Sequence, residues 1–262
     1  MNHDNLLAAA VQAARTAGLL LREGFGTVME RRSKEGLHNI VTEYDIRCEQ
    51  LIVDHLRSVF PDSGFTAEEG GASRADADLH WVIDPLDGTV NFAHGIPVFC
   101  VSIAAVIHGE LVCGAIYNPS LDELFTATRG QGAWLNGRRL HVTATEFVRE
   151  SILVTGFPYN VNENPDHCID QFVSMIRQGI PIRRLGSAAL DLAYVAAGRF
   201  DGYWEVSLHP WDMAAGVLMV QEAGGTVTHY DNRPFVLGKD SIVATNGIIH
   251  DELVAILEGA QR

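Results

Sequence analysis

An apolar run that ends in two closely spaced acids constrains this chain most. Residues 81–92 read WVIDPLDGTVNF. Leu79 to Ile83 has the aromatic and β-branched character of a buried strand. Pro85 lacks an N–H and has a fixed φ, so the run is expected to stop as a central strand at Asp84-Pro85. Asp84 and Asp87 are three positions apart. Gly88 lets the backbone turn or approach a ligand closely, and Thr89 offers a hydroxyl at a helix start. A loop of this kind at the carboxyl end of a strand suits a hard cation beside a phosphate. Taken alone, it equally suits an acidic turn with Thr89 as an N-cap.

The 262 residues suffice for one large domain or two closely joined smaller ones. A formal net charge of −14 argues against nucleic acid or an anionic membrane as the main partner. It also means that an anionic substrate needs a cation at its site. Cys48, Cys100, Cys113 and Cys168 form no C-x-x-C pair, so they read as core thiols of a reducing compartment. With no secretory signal before Leu6 and no apolar run long enough to span a bilayer, a cytoplasmic protein is expected.

Local patterns divide the chain into residues 1–149 and 150–262. In the first part, Leu6 to Leu21 has helical apolar spacing, Thr27 to Arg32 is a candidate strand, and Ser33 to His38 a polar loop. A second helix starts at Thr42 and stops before Pro61. Asp45, three residues after Thr42, fits a capping box, with Asp in place of Glu. Gly64 to Glu68 is a short strand, and Ala72 to Asp78 is expected to loop out. Phe99 to Ile107, Glu110 to Tyr117 and Leu124 to Thr128 follow as strands, and Asn136-Gly137 marks a hairpin. This part reads as helices on an antiparallel meander. In the second part, strands (Ile152 to Thr155, Ile182 to Leu185, Phe200 to Glu205, Thr226 to Tyr230, Ile242 to Ala244) alternate with helices (Asp166 to Arg177, Ser187 to Ala197, Trp211 to Ala223, Asp251 to Leu257). Ser187 is expected to cap its helix. The alternation predicts a layered α/β half.

Asp45, Glu68, Glu69, Asp84, Asp87 and Asp212 are the acids able to converge. Buried carboxylates are costly unless a cation joins them, and oxygen-only ligands favour Mg2+ or Mn2+ over zinc. Asp212 also suits the N-terminus of a helix, where an acid is stabilising without any metal. No H-E-x-x-H pair, G-x-S-x-G elbow or dinucleotide fingerprint occurs, and Gly238-Lys239 fails as a Walker loop.

Together these segments resemble the inositol monophosphatase family of Mg2+-dependent, lithium-sensitive phosphatases. The resemblance rests on the signature Asp84-Pro85-Leu86-Asp87-Gly88-Thr89-Val90-Asn91-Phe92 and on Trp211-Asp212-Met213-Ala214-Ala215-Gly216 followed by Glu222-Ala223-Gly224-Gly225, with Thr42-Glu43-Tyr44-Asp45, Glu68-Glu69, Gly186-Ser187-Ala188 and Glu205 in matching order. Ala67 stands where relatives often have Gly. The resemblance implies an α/β (α+β) fold, a five-layer αβαβα sandwich of the inositol monophosphatase/fructose-1,6-bisphosphatase type, and commonly a homodimer. It implies that Glu68, Asp84, Asp87, Asp212 and the Leu86 carbonyl, with Asp45 nearby, hold about two or three Mg2+ or Mn2+ ions. Asp45, Thr89 and Glu68 then serve a metal-activated water that attacks phosphorus directly. Gly88 and Thr89 would cradle the phosphate, while Gly186, Ser187, Ala188 and Glu205 would contact the polyol. Glu68, Leu86, Asp87 and Asp212 would also face the substrate, and Lys34 would lie near a weaker metal. Inositol monophosphate is the leading substrate. Fructose 1,6-bisphosphate, histidinol phosphate and 3′-phosphonucleotides are the same-fold alternatives, and a non-catalytic regulatory binding protein is the rival of another class.

Overall fold

The computed structural model describes residues 2–27, 29–33, 39–238 and 241–260; Lys34 and most of its expected loop lie outside that set. The helix at the amino terminus runs His3–Gly24. Its inner face is Leu6, Ala9, Ala10, Ala13, Ala14, Ala17 and Leu21. Alanines at that spacing keep helix propensity high and let neighbouring elements come close. The next helix, Glu43–Val59, packs beside it, and both lie on one face of a large sheet.

That sheet has eight strands. Across it stand Arg138–Arg139, Gly132–Leu135, Glu123–Thr128, Glu110–Asn118, Cys100–Ile107, Leu79–Asp87, Gly64–Ala67 and Gly71–Ser73. The Asn136-Gly137 turn joins the first two of these, as its residues predict. Most pairs are antiparallel, but Gly64–Ala67 runs parallel to Leu79–Asp87. Ala72 and Ser73, the start of the segment expected to loop out, instead belong to an edge strand, Gly71–Ser73, that folds back on Gly64–Ala67. The Thr27 to Arg32 strand is shorter and later than expected, at Arg31–Ser33, paired with Ile40–Thr42.

The Leu79 strand does not stop at Pro85. It runs to Asp87, with its register against Cys100–Ile107 shifting between Asp84 and Asp87. The shift removes the ladder position at which a missing N–H would matter, so proline is accommodated within the strand.

A second, five-stranded sheet has the order Ile182–Arg183, Leu153–Thr155, Gly202–Val206, Ser241–Thr245, Thr226–Thr228. Its first three strands are mutually parallel, and Ser241–Thr245 runs antiparallel to both of its neighbours, Gly202–Val206 and Thr226–Thr228. Two helices, Ala188–Ala196 and Pro210–Glu222, fill the space between the sheets. Every residue of Ala188–Ala196 is buried, as a helix that is apolar nearly all round must be. Cys168–Arg177 and His250–Gly259 cover the far face of the smaller sheet. The layers are therefore helix, sheet, helix, sheet, helix: a five-layer αβαβα sandwich. Side chains on the Leu79 strand alternate between its two cores. Trp81 and Ile83 face the outer helices, and Val82 faces the central pair. Among the described residues no helix is long and apolar enough to cross a membrane.

Candidate active site

The Leu79 strand, the helix starts at Glu43 and Pro210, and the end of Gly64–Ala67 point their acids at one another. Thr42 caps the Glu43 helix, and the capping box is complete: the Thr42 N–H donates to Asp45 Oδ2 at 2.8 Å and its hydroxyl at 2.6 Å. Asp45 Oδ1 accepts from the Thr89 hydroxyl at 2.9 Å. Asp45 thus combines the capping and site readings, one oxygen for each. Only 1% of it is exposed, and burial pushes its pKa up from 3.8 to about 6, with repulsion from Glu68 adding to the rise.

Asp84 is buried, and its carboxyl sits well above the ordinary range. Burial is the main cause, followed by repulsion from Glu68, Asp87 and Asp212. The Leu86 N–H donates to Asp84 Oδ1 at 3.0 Å. The Leu86 carbonyl lies 2.9 Å from the same Thr89 hydroxyl, whose single proton it shares with, or yields to, Asp45 Oδ1. Asp87 is raised to about 6 by burial, against donors from the second half of the chain. The Ser187 hydroxyl and the Ala189 N–H each donate to its Oδ2 at 2.7 Å, and the Ala188 backbone also helps to hold it. Ser187 stands at the cap position of its helix, as expected, but does not cap it. Its hydroxyl goes to the charged acceptor, which forms the stronger bond.

Gly88, not Thr89, is the cap of the short helix Thr89–Ala93. Its φ of 90° is left-handed, and a Cβ there would come within 2.8 Å of the Val98 carbonyl. Asp212 occupies the first turn of Pro210–Glu222, where the His209 N–H donates to its Oδ2 at 2.7 Å. Burial, then repulsion from Asp87, holds its carboxyl well above the usual range, with Glu68 and Glu205 adding to it. Glu205 accepts from the Tyr203 hydroxyl at 2.6 Å and is pushed up to about 7 by burial. Gly186 and Leu185 turn their carbonyls to the Asn91 amide, which ties this loop to the Thr89–Ala93 helix.

All twelve expected positions (Asp45, Glu68, Asp84, Leu86, Asp87, Gly88, Thr89, Gly186, Ser187, Ala188, Glu205 and Asp212) therefore belong to one connected region. Glu68, Gly88, Glu205 and Asp212 are partly exposed on its open side. Three residues escaped the sequence reading. Asn91 ties the loop, and Arg184 lies close enough to Glu205 to lower its pKa. Asp191 is fully buried beneath Glu205 and Asp87, with neither carboxylate oxygen hydrogen-bonded. Asn91 was visible inside the signature itself, whereas nothing local marks Arg184 or Asp191.

The donor set suits a hard cation. Among the described residues none of Asp45, Asp84, Asp87 and Asp212 is ion-paired with Arg, Lys or His. Mutually repelling buried carboxylates of this kind favour a divalent ion bound through oxygen. Among the described residues no three acid, His or Cys side chains already stand in a finished metal cage.

Residues 2–262 match the Inositol monophosphatase family. The chain belongs to that family. An "Inositol-1-monophosphatase" of Mesorhizobium japonicum is 43% identical over 97% of this chain and 96% of its own length. A "Nus factor SuhB" of Pseudomonas aeruginosa is 47% identical over 92% of this chain and 91% of its own. Among solved structures, an inositol monophosphatase from Anabaena superposes with a TM-score of 0.89 at 41% identity, covering 99% of this chain and 97% of the other. Membership in the inositol monophosphatase family makes this chain a phosphatase enzyme.

Proposed function

We propose that the chain hydrolyses a phosphorylated polyol, inositol monophosphate first among them, with Mg2+ or Mn2+ held by Glu68, Asp84, Asp87, Asp212 and the Leu86 carbonyl. The observation that carries this reading is the mutual repulsion of Asp84 with Glu68, Asp87 and Asp212, acids from three separate parts of the chain. When bound, divalent ions would neutralise the phosphate, lower the pKa of water and steady the leaving oxygen.

The chain's own groups divide the remaining work. Asp45 is the candidate general base. It is fixed by Thr42, and its Oδ1 is linked to the Thr89 hydroxyl. A carboxylate with its pKa near 6 accepts a proton more readily than an ordinary aspartate. The Gly88 turn would bring backbone close to the phosphate, and the Val98 carbonyl, 2.8 Å from where a Cβ would sit, keeps that position a glycine. Glu205 and the Gly186–Ala188 loop border the polyol side, and Asp87 lies between the two groups.

A panel of phosphomonoesters assayed with Mg2+, with and without lithium, tests this. Inositol monophosphate should lead fructose 1,6-bisphosphate, histidinol phosphate and 3′-phosphonucleotides in kcat/KM, and Asp84→Asn should lower it by about 100-fold or more. Glu205→Ala should raise KM for inositol phosphate about 10-fold while leaving a simple aryl phosphate near its wild-type value. Equal effects on both substrates would remove Glu205 from the polyol side.

The 47% identity to a protein named Nus factor SuhB supports a second reading, a binding role apart from turnover. Equal, negligible activity in wild type and Asp84→Asn across the panel would favour it.

A further inference from the structure

We propose that Glu49 is a positioning residue for Glu68, gripping the backbone just beyond it so that Glu68 faces the cation site; this rests on the reading of Glu68 as a metal ligand. Glu49 lies one helical turn after Asp45 on the Glu43–Val59 helix. It is only 8% exposed, an uncommon place for a glutamate. Its Oε2 accepts from the Glu69 N–H at 2.8 Å, and the Gly70 backbone N–H adds a second donor. Its carboxylate therefore takes hold of the two peptide units that follow Glu68.

The other side of Glu68 is fixed as well. The Glu68 N–H donates to the Ile83 carbonyl at 3.3 Å, immediately before Asp84. Glu68 is thus held between the strand that delivers Asp84 and the helix that delivers Asp45. Without that grip, the Glu68-Glu69-Gly70-Gly71 segment has the composition of an ordinary solvated turn. The glycine at position 70 belongs to the same device, because a Cβ there would lie 2.6 Å from Glu49 Oε1 and push the carboxylate away. The spacing follows from the helix: residues four apart share one face, so Asp45 can enter the site while Glu49 holds the neighbouring loop.

The test is Mg2+ binding to the metal-free full-length chain by titration calorimetry, with urea unfolding of the same samples. Glu49→Ala should raise the Mg2+ dissociation constant about 10-fold or more, the usual effect of losing a group that orients a ligand. Substrate KM at saturating Mg2+ should change little. Glu49→Gln, whose amide oxygen still accepts one N–H, should recover most of the affinity. Gly70→Ala should weaken Mg2+ in the same direction by displacing the Glu49 carboxylate while residue 49 itself is unchanged, and it covers the case in which Glu49→Ala does not fold. Wild-type Mg2+ affinity in both Glu49→Ala and Gly70→Ala, alongside weakened binding in Glu68→Gln, would overturn the proposal and leave the metal reading standing. Wild-type affinity in Glu68→Gln would remove Glu68 as a ligand and overturn both.

Discussion

Asp87 commits its Oδ2 to protein donors: the Ser187 hydroxyl, the Ala189 N–H and, more weakly, the Cys100 thiol at 3.8 Å. That leaves Oδ1 as the oxygen available to a cation. A carboxylate held in this way presents one oxygen at a fixed angle. Removing the Ser187 hydroxyl should loosen Asp87 without changing any ligand. Ser187→Ala is expected to weaken Mg2+-dependent activity about 10-fold, and Ser187→Thr, which keeps a hydroxyl, to recover part of it. The check is activity as a function of Mg2+ concentration; an unchanged half-saturating Mg2+ in Ser187→Ala would show that the bond is idle. The acids can be singled out as candidates from residue type and position, but Asp45, Glu68 and Asp212 read more readily as a cap, a solvated turn and a helix N-terminus until the family resemblance is added. The Ser187 bond was not legible, because a serine before a helix looks the same whether it caps that helix or serves a carboxylate one hundred positions away.

The helix Glu43–Val59 puts one motif to two uses. Its capping box is a local instruction readable from Thr42 and Asp45 alone, and the fold obeys it. The same Asp45 then reaches Thr89 through its other oxygen. Thr42→Ala should therefore cost about 1 kcal/mol of stability, as lost caps do, and should also lower kcat because Asp45 Oδ2 loses the Thr42 hydroxyl. Thr42→Ser should restore both. Urea unfolding paired with kcat measures the two effects on one set of proteins; a stability loss with full activity would mean that the Thr42 hydroxyl only caps. The Leu79 strand taught the opposite lesson about local rules. Proline does forbid a ladder bond, but a register shift between Asp84 and Asp87 satisfied that restriction without ending the strand. Strand length depends on such long-range pairing, which no local pattern records. The same is true of Gly71–Ser73, whose residues favour a loop until a partner strand lies beside them.

At the scale of the whole molecule, the two helices between the sheets decide the architecture. Ala188–Ala196 could be read as buried from its nearly unbroken apolar sequence. The sheet order could not, because it depends on which distant strands pair. One core joins side chains of both sheets through those helices, from Val82 and Ala104 to Tyr203 and Ala244. Site and core are therefore coupled, and the electrostatic strain of the site should appear in global stability. Burial raises Asp45 and Asp87 from 3.8 to about 6 and Glu205 from 4.5 to about 7, and it lifts Asp84 and Asp212 well above their usual range. A carboxyl raised on folding binds more protons in the folded state than in the unfolded one. Its contribution is fully present below the unfolded pKa and is lost as pH rises through the folded pKa. Burial raises Glu49 and Asp191 in the same way. His250, lowered by burial, and the exposed Asp170 and Asp231, also lowered, act in the opposite sense, their contributions lost as pH falls, but among the described residues the raised carboxyls outnumber them. The metal-free chain should therefore become less stable as pH rises from about 4 to about 7, and the decline should continue above that through Asp84 and Asp212. A divalent cation favours the ionised carboxylates, so saturating Mg2+ should flatten or reverse the decline. Urea midpoints at about pH 5 and about pH 7.5, with a chelator and with Mg2+, decide it. A midpoint that is flat with the chelator would mean that the acids are not strained by burial. A decline that Mg2+ leaves untouched would mean that they do not hold the ion.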